Sequence, residues 1–368
     1  MAEPSGGALV LVDGAGGFIG GHVAEELNHA GFRVRATDLP GVDLAPLAEQ
    51  GIETKSSDLL DQDSVAAILS SAGAVVHCAA AFDLALPLEK LLRVNVDGTG
   101  RLLKACIATG VTRFIHLSTG GVYGIPAGCP VYEDHPIRPV DAYSVSKARA
   151  EEAVIQAMDQ GIKATMFRPT NVYGPRGRYT AGALFPALCI LKERGIRIPR
   201  LMAGPPINMV HVADVAGAIR FALENESTVG QVYNLAETEI YPAGEFFDLI
   251  TRQFSLPTRG AIKIRPGLTG MIGRVGMHLP SALTVYPVQK LLEREWAKVV
   301  EKHHLVPALK PSLARDFMPF LIGPHAYSNQ KLCGDGYQVR HPSFLKSFPE
   351  VVRWYRAQRW IPGYSPKS

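Results

Sequence analysis

Tyr143 and Lys147 lie four residues apart in DAYSVSKARAEEA, a stretch of strongly helical character. Residues at that spacing share a helix face, so a phenol and an ammonium can act together. A free phenol, with a pKa near ~10, is a poor base at neutral pH. A neighbouring positive charge favours phenolate, which can then take the proton of a substrate hydroxyl. Upstream, Ser118 and Thr119 close the run RFIHLST. A hydroxyl there can donate to a substrate oxygen and stabilise the negative charge that develops on it. As ordinary structure, Thr119 would cap a turn and Tyr143 would pack, so the reading depends on what accompanies the set.

A glycine series accompanies it. Gly14, Gly17 and Gly20 fall in DGAGGFIGG, directly after the apolar run ALVLVD. One glycine allows a tight turn, one lets backbone approach a pyrophosphate, and one lets a helix pack closely on a strand. Backbone N–H groups at the helix start, where Phe18 and Ile19 stand, then bind phosphate with the help of the helix dipole. Asp38 ends the second strand run. A carboxylate there accepts from an adenine-ribose hydroxyl and repels a 2′-phosphate, which favours NAD over NADP. Arg33 and Arg35 on the same strand act against that choice, and Asp38 also suits a turn before Pro40. Asp58, with Leu59 beside it, either faces the adenine or caps the next helix. With NAD bound, the nicotinamide charge adds to that of Lys147. Tyr143 can then take a proton while hydride leaves for the cofactor.

The elements that must position these groups alternate along the chain. Strands are predicted at 8–13, 32–38, 53–59, 74–80, 113–119 and 163–171, and helices at 20–30, 62–72, 86–109 and 142–160. Such alternation means crossover helices and a doubly wound α/β Rossmann sheet, parallel and covered on both faces. Segments 208–216 and 231–236 read as returns to that sheet. This predicts a dinucleotide-binding domain over 1–175, rejoined by about 206–236. A smaller substrate domain then comprises 176–205 and 237–368, the last stretch irregular and apolar.

The 368 residues are 47% hydrophobic, ample for a large core. Lys and Arg exceed Asp and Glu by 38 to 34, with no dense basic run, which argues against nucleic-acid binding. Cys78, Cys106, Cys129, Cys189 and Cys333 form no Cys-x-x-Cys pair and suit a reducing compartment. The start, MAEPSGGALVLV, lacks a signal-peptide pattern, and no apolar run reaches the ~20 residues of a membrane helix, so a cytoplasmic protein is expected. The histidines show no metal-ligand spacing, and no metal is expected. His77 and His116 read as satisfied core residues and Asp214 as a helix cap.

In order and spacing, several segments resemble the extended short-chain dehydrogenase/reductase family of epimerases and dehydratases. They are DGAGGFIGG, VVHCAA (75–80), RVNVDGTG (93–100), HLSTGGVYG (116–124), YSVSK (143–147), FRPTNVYGP (167–175) and VHVADVA (210–216). The resemblance implies Tyr143 as acid/base with Lys147 as partner, and Thr119 as hydroxyl donor with Ser118 beside it. It implies Asn95, Ala79 and Ala80 along the cofactor. Pro169 and Asn171 stand where such proteins meet nicotinamide and substrate, with Gly120 also on the substrate side. Gly120 and Gly121 stand where the sugar-nucleotide dehydratases carry an Asp-Glu pair, which argues against dehydration. Asp13 replaces the threonine usual before the first glycine, outside the phosphate contacts.

For the substrate, the chain has Asn208-Met209 where sugar-nucleotide epimerases of this family often carry an Arg-Asp step that pairs with a diphosphate. Arg176, Arg178, Arg197 and Arg200 remain as candidates for one, or as solvated surface. The tail, YSNQKLCGDGYQVRHPSF and onward, resembles that of 3β-hydroxysteroid dehydrogenase-like proteins. With the apolar runs near 263–291 and 310–323, it points to an apolar small molecule, unless those residues are only a domain core or dimer face. The expectation is an NAD-dependent oxidoreductase acting on a lipophilic secondary alcohol or ketone. The alternatives are a nucleotide-sugar epimerase without net redox change and a non-catalytic dinucleotide sensor. The resemblance further suggests a homodimer through helices 86–108 and 142–160.

Overall fold

The computed structural model describes residues 8–82, 86–264, 286–311 and 324–364. Seven parallel strands form one sheet in the order Val232–Leu235, β6 (Lys163–Pro169), β5 (Arg113–Leu117), β4 (Ala72–His77), β1 (Leu9–Asp13), β2 (Arg33–Asp38) and β3 (Glu53–Ser56). All five residues of β1 are buried, as a central strand covered on both faces requires. Alternation then sorts its side chains. Val10 and Val12 face a core shared with Val23 and Leu27 of the first helix (Phe18–His29) and with Val215 and Ile219 of Val212–Glu224. Leu11 faces the other way, onto Leu102 and Cys106 of Gly98–Thr109 and Val154 of Ala142–Met158.

The strand order reverses between β1 and β4, because β2 and β3 lie to one side of β1 and β4 to β6 to the other. The crevice at the carboxyl ends of β1 and β4 is where a doubly wound sheet binds its ligand. The doubly wound expectation therefore holds, with two local differences. Residues 208–216 do not rejoin the central sheet. Val210–His211 pairs only with Val172–Tyr173, and the helix Val212–Glu224 follows at once. The return is made by Val232–Leu235 alone, beside β6. Moreover, the helix expected at 86–109 contains a π-helical turn, Arg93–Asp97, between Leu88–Leu92 and Gly98–Thr109. Such turns re-aim a side chain within a helix, and here the residue is Asn95.

Among the described residues, the C-terminal part carries more regular structure than its sequence pattern predicts. Ala243–Gln253, Tyr286–Lys302 and Phe344–Ala357 are helices. Their side chains Phe246, Trp296, Phe344, Phe348 and Tyr355 form one core with Phe185. The aromatic tail thus packs inward, Trp354 and Trp360 included. Most of the apolar runs at 263–291 and 310–323 lies outside the described residues. No helix among the described residues is long and apolar enough to cross a membrane.

Candidate functional site

The glycine loop lies at the crevice. Gly14 has φ +65°, and a Cβ there would come within 2.7 Å of the Ala79 backbone. A Cβ on Gly20 would fall 2.2 Å from the Gly14 carbonyl oxygen, and one on Gly17 3.0 Å from it. The series is therefore a set of close backbone approaches. Gly17 begins the first helix without a side-chain cap, and no acidic residue occupies the first turn. Its first N–H groups are left for an anion, which fits a dinucleotide phosphate. Phe18 and Ile19 offer backbone there, while their side chains turn inward: Phe18 toward Gly177 and His22, Ile19 against the core.

Gly16, outside the predicted series, donates its N–H to Asp38 Oδ2 at 2.9 Å, and Leu39 donates to Oδ1 at 2.7 Å. Asp38 thus meets the loop at the end of β2, where the ribose edge of a dinucleotide is expected. Arg35 does not oppose it, because its guanidinium is turned away to Glu53 (2.9 Å) and the Ile68 carbonyl (2.7 Å). Asp58 accepts from Leu60 N–H, and the following helix is capped by Asp61 instead. Leu59 packs against Gly98 and the neighbouring core.

Asp13 has a structural task. Its Oδ1 accepts from the N–H groups of Cys78 (2.7 Å) and Ala79 (2.9 Å), and its Oδ2 pairs with His77 Nδ1 at 2.6 Å. His77 Nε2 continues to Thr99 Oγ1 at 2.8 Å, which donates to the Asn95 carbonyl. The chain locks the Ala79–Ala80 segment over the glycine loop. Asn95 takes the next step: its Oδ1 accepts from Ala81 N–H at 2.7 Å, and its Nδ2 donates to Ser146 Oγ at 2.9 Å. Ser146 in turn donates to the Tyr143 carbonyl. One buried side chain therefore holds the β4 loop and the Tyr143 helix in register.

That helix, Ala142–Met158, is capped by Asp141, which accepts from Ser144 N–H and Oγ. Burial, with Asp141 adding to it, pushes the Tyr143 phenol above its ordinary range, so it is a proton donor in the free protein. Lys147 is buried, and desolvation lowers it to about 8, opposed by the carboxylates of Glu151 and Asp13. Glu151 is itself held by Arg168 through two bonds of 3.0 and 2.6 Å.

Thr119 accepts from Gly121 N–H at 3.1 Å, and a Cβ on Gly121 would lie 2.6 Å from Ser144 Oγ and 3.4 Å from Thr119 Oγ1. The end of β5 is thereby brought beside the start of the Tyr143 helix. Ser118 Oγ is buried without a hydrogen-bond partner among the described residues. So are both ring nitrogens of His116, contrary to the expectation of a satisfied core histidine; burial holds that ring neutral. Pro169 ends β6, and its carbonyl lies 3.2 Å from the position of a Cβ on Gly120. Asn171 meets the Val210 strand through its carbonyl.

Around Tyr143 and Gly120 the structure gathers aromatic rings that sequence spacing did not connect. Phe82 stands edge-to-face on Tyr143, ring centroids 4.9 Å apart, and on Tyr179 at 5.5 Å. Tyr327 lies over Gly120, so that a Cβ there would be 3.0 Å from its ring, and its hydroxyl donates to the Gly120 carbonyl. Asn208 is fully buried and pins this segment, donating to the Tyr327 carbonyl (2.9 Å) and accepting its N–H (3.0 Å). The candidate diphosphate arginines are mostly engaged. Arg176 pairs twice with Glu25, Arg178 lies over Trp360, and Arg200 pairs with Asp248; Arg197 is exposed.

Elsewhere, His211, Asp214 and His341 come together. The helix cap there is His211 rather than Asp214. Asp214 accepts from Arg340 N–H, His341 N–H and Tyr337 OH. The two imidazoles stack at 3.9 Å and 24°, one ligand atom from each of the three residues lies within 4.8 Å of the others, and the bonds to Asp214 fasten the 337–341 segment to the helix.

The model of the NAD dependent epimerase/dehydratase family matches residues 10–236. A 3beta-hydroxysteroid-dehydrogenase/decarboxylase isoform 2 of Arabidopsis thaliana is 27% identical over 330 residues, covering 83% of this chain and 55% of that protein. A UDP-glucose 4-epimerase of Azospirillum brasilense is 31% identical over 244 residues, covering 58% of this chain and 68% of that one. Among solved structures, DesIV, a dTDP-glucose 4,6-dehydratase from Streptomyces venezuelae with NAD and TYD bound, aligns at TM-score 0.70 and 21% identity, over 96% of this chain and 99% of that chain. A Thermus thermophilus UDP-glucose 4-epimerase in complex with NAD aligns at TM-score 0.66 and 23% identity, over 95% and 99%.

Proposed function

The chain belongs to the NAD-dependent epimerase/dehydratase family, of extended short-chain dehydrogenase/reductase type with NAD as cofactor, and from that premise we propose a net oxidoreductase that interconverts a secondary alcohol and a ketone on a lipophilic molecule. Bound NAD supplies the hydride acceptor. In the oxidation, Tyr143 as phenolate would take the carbinol O–H proton while the bound cofactor would accept the carbinol hydrogen as hydride, leaving a ketone and NADH. Lys147, with the nicotinamide charge, brings the phenol of Tyr143 down from its raised position. Lys147 also holds the nicotinamide ribose, while Thr119, with Ser118 beside it, donates to the substrate oxygen. Gly14, Gly17, Gly20, Asp38, Asp58, Ala79, Ala80 and Asn95 line the cofactor. Pro169 would meet the nicotinamide, and Gly120 and Asn171 would face the substrate.

One observation carries the apolar substrate: the wall beside Tyr143 is aromatic, while Asn208 and three of the four candidate diphosphate arginines are spent on protein partners. A side chain at Gly120 or Gly121 would strike Tyr327 or Ser144, which leaves no room for a dehydratase acid–base pair. A second reading, a nucleotide-sugar epimerase, is favoured by the likeness to a UDP-glucose 4-epimerase. The test is NADH formation from NAD with hydroxysteroids and other apolar secondary alcohols. Stable NADH, lost in Tyr143→Phe, supports the dehydrogenase. No NADH together with tight binding of a UDP-hexose overturns it in favour of the epimerase.

The division into a dinucleotide-binding and a substrate domain is part of the same proposal, supported by the separate C-terminal core, although Leu332 and Tyr337 join the first core. A dimer through the 86–108 and 142–160 helices is supported by exposed Val94, Ile107 and Ile155, and a monomeric mass in light scattering would refute it. The five free cysteines favour a reducing, cytoplasmic setting.

A further inference from the structure

Phe82 and Tyr179 have no part in the proton and hydride transfer. They are nonetheless large aromatic side chains left 36% and 56% exposed at the candidate catalytic tyrosine. Phe82 bridges the two tyrosines edge-to-face, at interplanar angles of 87° to Tyr143 and 81° to Tyr179. Its placement is enforced. Ala81, the residue before it, exchanges hydrogen bonds in both directions with Asn95, and the same Asn95 reaches Tyr143 through Ser146. Ring and phenol are thus held in one register by a buried asparagine. Tyr179 comes from a different part of the chain, at the start of Thr180–Glu193.

An exposed aromatic pair held rigidly beside a reacting group loses little side-chain freedom on binding and offers flat apolar area to a ligand. Neither ring offers a charge, and Arg176, the nearest arginine in sequence before Tyr179 apart from Arg178 on Trp360, is bound to Glu25 by 2.8 and 2.5 Å contacts. We propose that Phe82 and Tyr179 form the substrate-recognition wall of this site, reading the flat apolar face of a fused alicyclic framework next to its reacting carbinol. The assignment rests on the dehydrogenase reading and adds the residues that select the substrate. Covering the two rings buries apolar area on both partners, so the loss of either ring weakens the grip on the framework.

The experiment compares kcat/KM for a 3β-hydroxysteroid and for cyclohexanol in the NAD-loaded wild type, Phe82→Ala, Phe82→Leu and Tyr179→Ala, with thermal melting to check folding. Both alcohols carry the same secondary carbinol, and only the steroid reaches across the wall. The steroid-to-cyclohexanol ratio is expected to fall about tenfold in Phe82→Ala and in Tyr179→Ala, mainly through KM, and less in Phe82→Leu. A ratio that stays at the wild-type value in folded variants overturns the wall while leaving the dehydrogenase intact. A wild type that forms NADH from neither alcohol overturns the wall as a reader of fused alicyclic frameworks, and tight binding of a UDP-hexose by the same protein brings down the dehydrogenase reading as well.

Discussion

The proposed cofactor end and the proposed substrate end of the crevice are built from different materials. At the cofactor end the working parts are backbone groups and missing side chains. Gly14 and Gly20 approach neighbouring backbone to distances no Cβ tolerates, the first helix opens uncapped, and Asp38 closes on Gly16 N–H. Most of these parts lie on the first β-α-β unit. At the substrate end the parts are whole side chains from remote segments: Phe82 after β4, Tyr143 on its helix, Tyr179 before Thr180–Glu193, and Tyr327 from the C-terminal region. A pyrophosphate asks for N–H donors and close approach, demands that few sequences satisfy. A substrate scaffold asks only for complementary surface, which many combinations of side chains supply.

The comparison can be broken or sharpened by substitutions at each end. The largest effect is expected where the ends meet. Tyr143→Phe should lower kcat by about a thousandfold while NAD binding, followed by protein fluorescence, changes little. Loss of NAD binding in that variant would mean that the phenol serves the cofactor end instead. At the cofactor end, Gly20→Ala must move the Gly14 carbonyl, 2.2 Å from the new Cβ. NAD affinity by calorimetry should fall by about a hundredfold, the scale of ~3 kcal/mol of forced displacement. Asp38→Ser should narrow the preference for NAD over NADP by about tenfold, read as the ratio of the two dissociation constants. The ammonium of Lys147 is lost as pH rises through about 8, since burial has lowered it that far. In the direction of ketone reduction, where Tyr143 donates, kcat/KM should therefore decline above that pH, by about tenfold per unit at most. A flat profile up to about pH 10, where an ordinary lysine begins to titrate, would show that Lys147 is not needed as a cation. The smallest effect belongs to Tyr327→Phe, which keeps the ring over Gly120 and removes one hydrogen bond; a change in kcat/KM of about threefold or less is expected.

Much of the site is legible along the chain. Gly14, Gly17 and Gly20 follow a strand run, and Tyr143 and Lys147 share a helix face, because turn geometry and helix periodicity act over a few residues. Element type is readable for the same reason, and element ends less so: the strand expected at 74–80 stops at His77, where Asp13 captures the next two amides. Asp13 itself stands out along the chain only as a departure, since nothing local tells that its partner is His77, 64 positions away. The segment 208–216 misleads because its apolar run feeds a two-residue bridge and then a buried helix, and both bury the same residue types.

The sequence alone determined the fold class, the close backbone approaches of the glycine loop and the order of the candidate groups, since each depends on local backbone conformation and on which side chains share a face. Only the tertiary structure decided what surrounds Tyr143. Whether an arginine meets a ligand or Glu25, whether Asn208 faces the substrate or Tyr327, and whether Phe82 leans on Tyr143 are contests between long-range partners. Packing of the whole chain settles them, and no periodicity records the outcome.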